Sequence, residues 1–383
     1  MIKNTMRKIK WLSYYLTMKI CQIFPVKPNK VIFSSYRGRQ YSDNPMYISR
    51  LLEQMGNIEV VWIYNNSDTS RLNSKIKTVK NNSLRCIYEL ATSKVWVDNC
   101  RKLSWIRKKK NQYYIQTWHG NIALKKIEAD AEQKLSPDYV KNAKNDSKMA
   151  DLFVSGSAWE TQNYREAFWY TGEILECGCP RSDVFYGNKD NVKKKVREFY
   201  NLQVDDNIII YAPTFRNSQE LSCYNIDFFR LIECAEQTWG GNWKVIIRLH
   251  PNMTAVQHEI KYSEKVLNGL LYDNLNDLII TSEVLITDYS SCMFDAMEIG
   301  KKVLIYAADV EEYYQERGVY FSFEQLPFVF SGDNDTLIEN VVNFNQDDYE
   351  KRVAEFMHLV KICNNGDASE IVANRIKDVI NTK

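Results

Sequence analysis

Short uninterrupted apolar runs recur along this chain, and several of them end abruptly in polar or ring-bearing residues. Tyr113-Tyr114-Ile115-Gln116 runs into Thr117-Trp118-His119-Gly120, and Val245-Ile246-Ile247 runs into Arg248-Leu249-His250-Pro251. A third run, Val284-Leu285-Ile286, passes into Thr287-Asp288-Tyr289-Ser290-Ser291, where a helix should begin. Continuous rather than alternating apolar runs fit strands covered on both faces. Further runs at 31–34, 60–64, 94–97, 152–155, 208–211 and 303–306 predict more such strands. Helical spacing at 44–55, 158–168, 226–239 and 291–299 places helices between them, and the mixed tail at 348–383 reads as helices. Strand and helix in alternation predict an α/β fold with mostly parallel sheets. The polar residues then sit at strand carboxyl ends, where such sheets keep their ligand sites.

The first 30 residues follow a different pattern. Ile2, Met6, Ile9, Leu12, Leu16, Ile20 and Ile23 recur at three- and four-residue spacing and form one apolar stripe of a helix, with Lys3, Arg7 and Lys10 beside it. Trp11 and Tyr15 project away from the stripe. Pro25 and Pro28 end the helix. Seven Lys or Arg and no acidic residue fall in this segment. Such a stripe suits a helix lying on an anionic membrane surface or one docked on the protein's own core. No small-residue cleavage site marks a signal peptide, and no run of apolar residues is long enough to span a bilayer. A second basic cluster, Arg101, Lys102, Arg107, Lys108, Lys109 and Lys110, is a further candidate for an anionic surface.

At 383 residues, two domains are expected. The polar stretch 188–206 divides the chain into a membrane-contacting segment 1–30, a domain 31–190, and a domain 191–383 that includes the carboxyl-terminal helices. The nine dispersed cysteines lack zinc-site spacing, and neither glycine-rich nucleotide fingerprint occurs. No metal, cofactor or nucleic-acid partner is expected, and the oligomeric state stays open.

The chemistry concentrates at the strand ends. His119 lies between Trp118, a rigid wall, and Gly120, which permits a sharp turn. A neutral imidazole there suits a general base, or else a strand-end histidine bonded to backbone. Arg248 and His250 share a strand face and form a cationic clamp for phosphoryl oxygens or a surface pair. Ser290 and Ser291 at a helix start offer a phosphate site or a simple cap. Thr214 and Arg216 follow the 208–211 strand as phosphate contacts or as part of a ligand-free turn. Asp288 either orients a substrate hydroxyl or holds its loop. Asp43 and Asn44 cap a helix or support the site, and Lys125, Lys126, Glu128 and Asp130 read as a solvated face.

Seven motifs in order carry a resemblance that spans about residues 31–320. They are Gly38 through Tyr41-Ser42-Asp43-Asn44-Pro45, Gln116-Thr117-Trp118-His119-Gly120, Gly178-Cys179-Pro180-Arg181-Ser182-Asp183, Pro213-Thr214-Phe215-Arg216, Arg248-Leu249-His250-Pro251, Thr287-Asp288-Tyr289-Ser290-Ser291 with Phe294-Asp295, and Arg317-Gly318. With them the chain resembles the CDP-glycerol glycerophosphotransferase family of teichoic acid synthesis. The resemblance implies two Rossmann-like domains facing a cleft, in the GT-B manner. It implies a CDP-polyol donor, a polyprenyl-pyrophosphate-linked saccharide acceptor, and peripheral attachment at the cytoplasmic face of the plasma membrane. Carried over by motif, His119 is the base on the acceptor hydroxyl and His250 assists at the phosphate. Arg216 and Arg248 hold donor phosphate, Ser290 and Ser291 hold the pyrophosphate, and Asp43, Asn44, Trp118, Gly120, Thr214 and Asp288 support them. Glycerol is the default polyol, added in one or a few units. A ribitol donor, a polymerising enzyme and a nucleotide-sugar glycosyltransferase are the alternatives.

Overall fold

The computed structural model describes residues 2–70, 72–214, 216, 225–249, 260–272 and 274–382. They form two compact units: Met1–Asn121, Ile127–Asp183 and Ile362–Lys383 make the first, and Ile122–Lys126 with Val184–Lys361 the second.

In the first unit, α1 (Ile2–Cys21) leads into β1 (Lys27–Ser34), α2 (Asp43–Met55), β2 (Glu59–Ile63), β3 (Lys77–Val79), α3 (Leu84–Thr92) and β4 (Ser93–Asp98). Then come β5 (Tyr113–Gln116), α4 (Pro137–Met149), β6 (Leu152–Ser155), α5 (Ala158–Ala167) and β7 (Glu173–Glu176). Every strand pair is parallel, in the order β3-β2-β1-β4-β5-β6-β7. Phe33 lies in register between Trp62 and Val97, all three buried, so the apolar runs mark strands enclosed on both faces.

The second unit repeats the design with α6 (Lys189–Tyr200), β8 (Asp206–Tyr211), α7 (Phe228–Trp239), β9 (Asn242–Ile247), β10 (Val266–Asn268), α8 (Leu275–Thr281) and β11 (Val284–Thr287). It continues through α9 (Cys292–Glu298), β12 (Lys302–Tyr306), α10 (Val310–Arg317), β13 (Val329–Ser331), α11 (Asn334–Val342) and α12 (Gln346–Val360). Its parallel sheet has the order β10-β9-β8-β11-β12-β13. In each sheet the strand order reverses once, between β1 and β4 and between β8 and β11. Crevices outside the carboxyl ends of strands at such switch points are the ligand sites of open α/β sheets.

The last helix, α13 (Ala368–Asn381), departs from the division read from the sequence, which put all carboxyl-terminal helices in the second domain. It belongs to the first unit, where Val372, Ala373 and Ile376 are fully buried with Ile48 and Leu52 of α2. Burying each such side chain contributes about 1.5–3 kcal/mol, enough to decide where the tail goes. The 178–183 motif clasps it. Gly178 has φ +100, and a Cβ there would lie 2.8 Å from Asn364 Oδ1. Asn364 Oδ1 accepts the Cys179 N–H at 2.6 Å, and the Asp183 carboxylate accepts the Ala368 and Ser369 N–H groups that open α13.

Helix α1 uses its ring-bearing face for docking. Met18 is fully buried, and Trp11, Tyr14 and Tyr15 pack against the first unit's core. Leu12, Leu16, Ile20 and Ile23 of the stripe stay outside, 58%, 50%, 62% and 82% exposed. The side chains of Ile2, Met6 and Ile9, with Lys3, Arg7 and Lys10, lie outside those described. The second basic cluster, read from sequence as a candidate anionic-surface contact, is in part committed inside the fold. Arg101 and Lys102 are buried against Glu128, Asp146 and Asp98, and Lys108 pairs with Asp151, because each cation compensates a carboxylate the fold buries or half-buries.

Candidate active site

In the first unit the polar residues converge at the carboxyl ends of β1, β4 and β5, beside the switch point. His119 Nδ1 lies 2.7 Å from the carbonyl oxygen of Asn99, the first residue after β4. A carbonyl only accepts, so Nδ1 carries the proton and donates. In the neutral ring Nε2 is therefore the bare nitrogen. Burial lowers the His119 pKa from its ordinary 6.5, against the opposing pull of the Asn99 carbonyl and the Asp43 charge. The ring is thus a neutral base with a fixed tautomer at neutral pH.

Asn99 is fully buried and binds three neighbours through its side chain. Its Oδ1 accepts the Tyr36 N–H at 2.8 Å, and its Nδ2 donates to Ser35 Oγ at 3.1 Å and Asp43 Oδ2 at 2.9 Å. Asp43 also accepts the Tyr36 hydroxyl at 2.6 Å. Burial, then the Asp43 charge, pushes the Tyr36 phenol well above its ordinary range, so it remains a donor. Asn44 does more than start α2: its Nδ2 donates to the Thr117 and Trp118 carbonyls, and its Oδ1 accepts the Arg181 N–H at 2.9 Å. The β5 turn, α2 and the 178–183 motif are bound together by this one amide.

The backbone here is strained. Tyr36, Arg37, Asp43 and Trp118 all have φ between 47° and 60°, a region in which residues with side chains persist only when surroundings over-determine them. The sharp turn expected of Gly120 is made by Trp118 instead, since Gly120 does not have a positive φ. Trp118 is the wall expected of it, its ring centroid 4.3 Å from that of His119. Behind it the Arg101 guanidinium lies 5.5 Å from the indole centroid and is bonded to Glu128 and Asp146. Glu128, read from sequence as part of a solvated face, is 2% exposed because it answers this buried cation.

The second unit builds a different cluster at its own switch point. Asp288, just past β11, accepts the Thr214 N–H at 2.8 Å and pairs with Arg216 Nη2 at 2.8 Å. Arg216 Nε and Nη2 also reach the two carboxylate oxygens of Asp309 at 2.6 and 3.1 Å, and Nη1 donates to the Thr214 carbonyl and hydroxyl oxygens. All five guanidinium N–H groups are thereby engaged. Burial opposes the Arg216 charge, but the Asp309 hydrogen bond and both carboxylates raise its pKa further. Two carboxylates around one cation disfavour a phosphate oxygen as a sixth partner. In this arrangement Arg216 organises the loop rather than offering open donors to phosphate. Tyr289 stacks on Tyr313 with centroids 3.5 Å apart and donates to Asp309, closing the network.

Ser290 and Ser291 are half-buried at the start of α9. Cys292 N lies 3.5 Å from Ser290 Oγ, a long bond, and Ser291 makes no side-chain cap bond. Neither hydroxyl is committed to capping in the way simple helix starts commit theirs. Arg248 is half-buried past β9, its Nη1 donating to the Gly269 carbonyl at 2.9 Å. His250 and Pro251 lie outside the described residues.

The structure thus gathers Asp43, Asn44, Trp118 and His119 in one site, and Thr214, Arg216 and Asp288 in another. Sequence reasoning missed Tyr36, Asn99 and Asp309. A signal was present for two of them, because 95–99 and 303–309 are also apolar runs ending in polar residues.

Comparison with known proteins extends the geometry. A family model described as CDP-Glycerol:Poly(glycerophosphate) glycerophosphotransferase matches residues 15–378. A teichoic acid glycerol-phosphate transferase of Staphylococcus aureus is 28% identical over 98% of this chain and 100% of its own length. A teichoic acid poly(glycerol phosphate) polymerase of Bacillus spizizenii is 27% identical over 95% of both chains. A polymerase of the same description from Staphylococcus epidermidis is 30% identical over 92% of this chain, which spans about half of that relative, 51%. The structure of the wall teichoic acid polymerase TagF superposes with a TM-score of 0.84 at 27% identity, covering 99% of this chain and 97% of that one. A histidine-to-asparagine variant of TagF, soaked with CDPG, superposes at 0.85. The fold is therefore α/β with two Rossmann-like units, of the GT-B type.

Proposed function

Since the chain belongs to the CDP-glycerol glycerophosphotransferase family, we propose that it transfers a polyol phosphate from a CDP-polyol to a hydroxyl of a polyprenyl-pyrophosphate-linked saccharide. The acceptor oxygen attacks the phosphorus that bears the polyol. A new phosphodiester bond forms, the bond to the bridging oxygen of the pyrophosphate breaks, and CMP leaves with that oxygen. His119 Nε2 takes the acceptor proton. The observation that carries this role is the Nδ1 donation to the Asn99 carbonyl, which fixes Nε2 as the basic nitrogen of a buried ring. General-base help of this kind contributes about 10²–10⁴-fold, and positioning of the two substrates supplies much of the rest. The donor phosphates are assigned to the second unit, with Ser290, Ser291 and Arg248 as their partners, together with His250. Glycerol is the polyol that the family and the TagF soak support.

The exposed stripe of α1 supports peripheral attachment to an anionic membrane, as a lipid-linked acceptor requires. No helix among the described residues is long and apolar enough to cross one. A donor panel tests the proposal. CDP-glycerol, CDP-ribitol and UDP- and GDP-sugars are each incubated with a lipid-linked disaccharide, and the released nucleotide is identified. CMP release that depends on acceptor is the expected result. Turnover of UDP- or GDP-sugars alone would replace this reading with a glycosyltransferase.

A further inference from the structure

Three basic residues that the fold leaves in solution stand on α4. Lys141, Lys144 and Lys148 are spaced by three and four residues, which puts them on one helix face, roughly 4.5 and 6 Å apart along the axis. They line a groove of ≈ 580 Å³ with Leu135 and Val140 among its apolar residues. Glu132 is the lining carboxylate, so three lysines leave the groove cationic. Lys144 is held in place, 2.9 Å from Glu132 and over the Trp169 ring at 5.1 Å, while Lys141 and Lys148 have no carboxylate within ion-pairing distance among the described residues. In the same lining, Asn145 Nδ2 is buried without a hydrogen-bond partner. A buried donor left unsatisfied is costly, and an acceptor oxygen entering the groove would satisfy it.

The helix that carries these lysines is fixed to the catalytic ring stack. Asp146 of α4 pairs with Arg101, and Tyr139 of α4 donates to Glu128, the other carboxylate on Arg101; Arg101 in turn lies against the Trp118 indole beside His119. A ligand seated on α4 is therefore registered, through buried ion pairs, to the base.

We propose that this groove is a subsite for the phosphodiester chain of the acceptor. Phosphates of polyol phosphate units already added lie along the lysines, and the polyol carbons pack on Leu135 and Val140. A cationic, partly apolar groove with lysines every few ångströms matches a ligand whose charge repeats at short intervals along an aliphatic backbone. The site would favour acceptors that already carry units over bare saccharide. The inference rests on the transferase reading above.

The test combines the triple variant Lys141→Gln, Lys144→Gln, Lys148→Gln with two acceptors, one bare and one carrying three glycerol phosphate units. The expected result is a KM for the phosphorylated acceptor raised roughly tenfold, as the loss of three exposed ion pairs implies, with its salt dependence reduced. kcat and turnover of the bare acceptor stay unchanged, and the triple Lys→Arg variant retains wild-type behaviour. An unchanged KM, or an equal loss with both acceptors, overturns the subsite. Calorimetric titration with a synthetic glycerol phosphate trimer needs no turnover and separates the two readings. Trimer binding that the Gln variant loses supports the subsite even if CDP-glycerol is not a donor; transfer activity without trimer binding overturns it. Loss of binding to anionic vesicles, with trimer binding intact, would also overturn it by giving the lysines to lipid headgroups.

Discussion

Replacing Asn99 with alanine removes the side chain that binds Tyr36, Ser35 and Asp43 while leaving the carbonyl that orients His119. Two of the three lost hydrogen bonds are neutral and one ends on a carboxylate, which together amounts to about 3–6 kcal/mol before water repairs part of the gap. A loss of about 3 kcal/mol in unfolding free energy is expected, visible as a lower denaturant midpoint. The catalytic effect follows from geometry: a shift of the Asn99 carbonyl by about 1 Å costs about 10²-fold in rate. Turnover should fall by that order while the KM for donor changes little, since the residues proposed to hold the donor belong to the other unit. The pH profile separates positioning from mere destabilisation. The Asn99 carbonyl and Asp43 raise the His119 pKa against burial, so loosening them lowers it further. The acid limb of kcat/KM, already below 6.5 in the wild type, should therefore move to still lower pH in Asn99→Ala. Wild-type kcat with an unmoved limb, alongside an inactive His119→Ala, would refute the positioning role.

Three further outcomes follow from the same structure. Asp309→Ala strips two N–H acceptors from Arg216 and one from Tyr289; stability should drop by about 1–3 kcal/mol, and titration kinetics should show a raised donor KM with the acceptor KM nearly constant. Glu160 is buried beneath the Tyr164 hydroxyl and Gly156 N–H, and burial raises its pKa to about 8. Its stabilising contribution is full below 4.5 and is lost as pH rises through about 8. Glu160→Gln, which mimics the protonated form, should match wild-type stability near pH 4.5 and flatten the decline between about 4.5 and 8, and an equally steep decline in the variant's melts would argue otherwise. Changing Leu12, Leu16, Ile20 and Ile23 together to glutamine should abolish flotation with anionic vesicles, while the melt stays within about 1 kcal/mol because these side chains are exposed. A collapsed melt would show that the stripe packs on protein instead.

The alternation of apolar runs and helical spacing made the two parallel sheets legible because a strand covered on both faces leaves a continuous signature. Strands β3, β10 and β13, each three residues long, leave none; they exist through pairing to a neighbour already in place. The placement of α13 was hidden for a related reason. Its apolar face shows that it packs, but not on which sheet, and the decision lies in contacts with Asn364, Asp183 and α2 far away in sequence. His119 was readable as a candidate base from its strand-end position, whereas the atom that fixes its tautomer is a backbone carbonyl with no residue-type signal. Arg216 illustrates the converse, since an arginine beside a threonine suggests phosphate, and its pairing with Asp309, 93 residues on, has no signal in the local sequence.

Polyol phosphate transfer with His119 as the base ties CMP release to growth of the acceptor in a single assay. Wild-type protein and His119→Ala, shown to melt alike, are given CDP-glycerol and a lipid-linked disaccharide, with product mass and CMP followed together. The expected result is one CMP for every glycerol phosphate added, and a variant slower by roughly 10²–10⁴-fold. CMP released without any gain in acceptor mass, or a folded variant working at the wild-type rate, would contradict it.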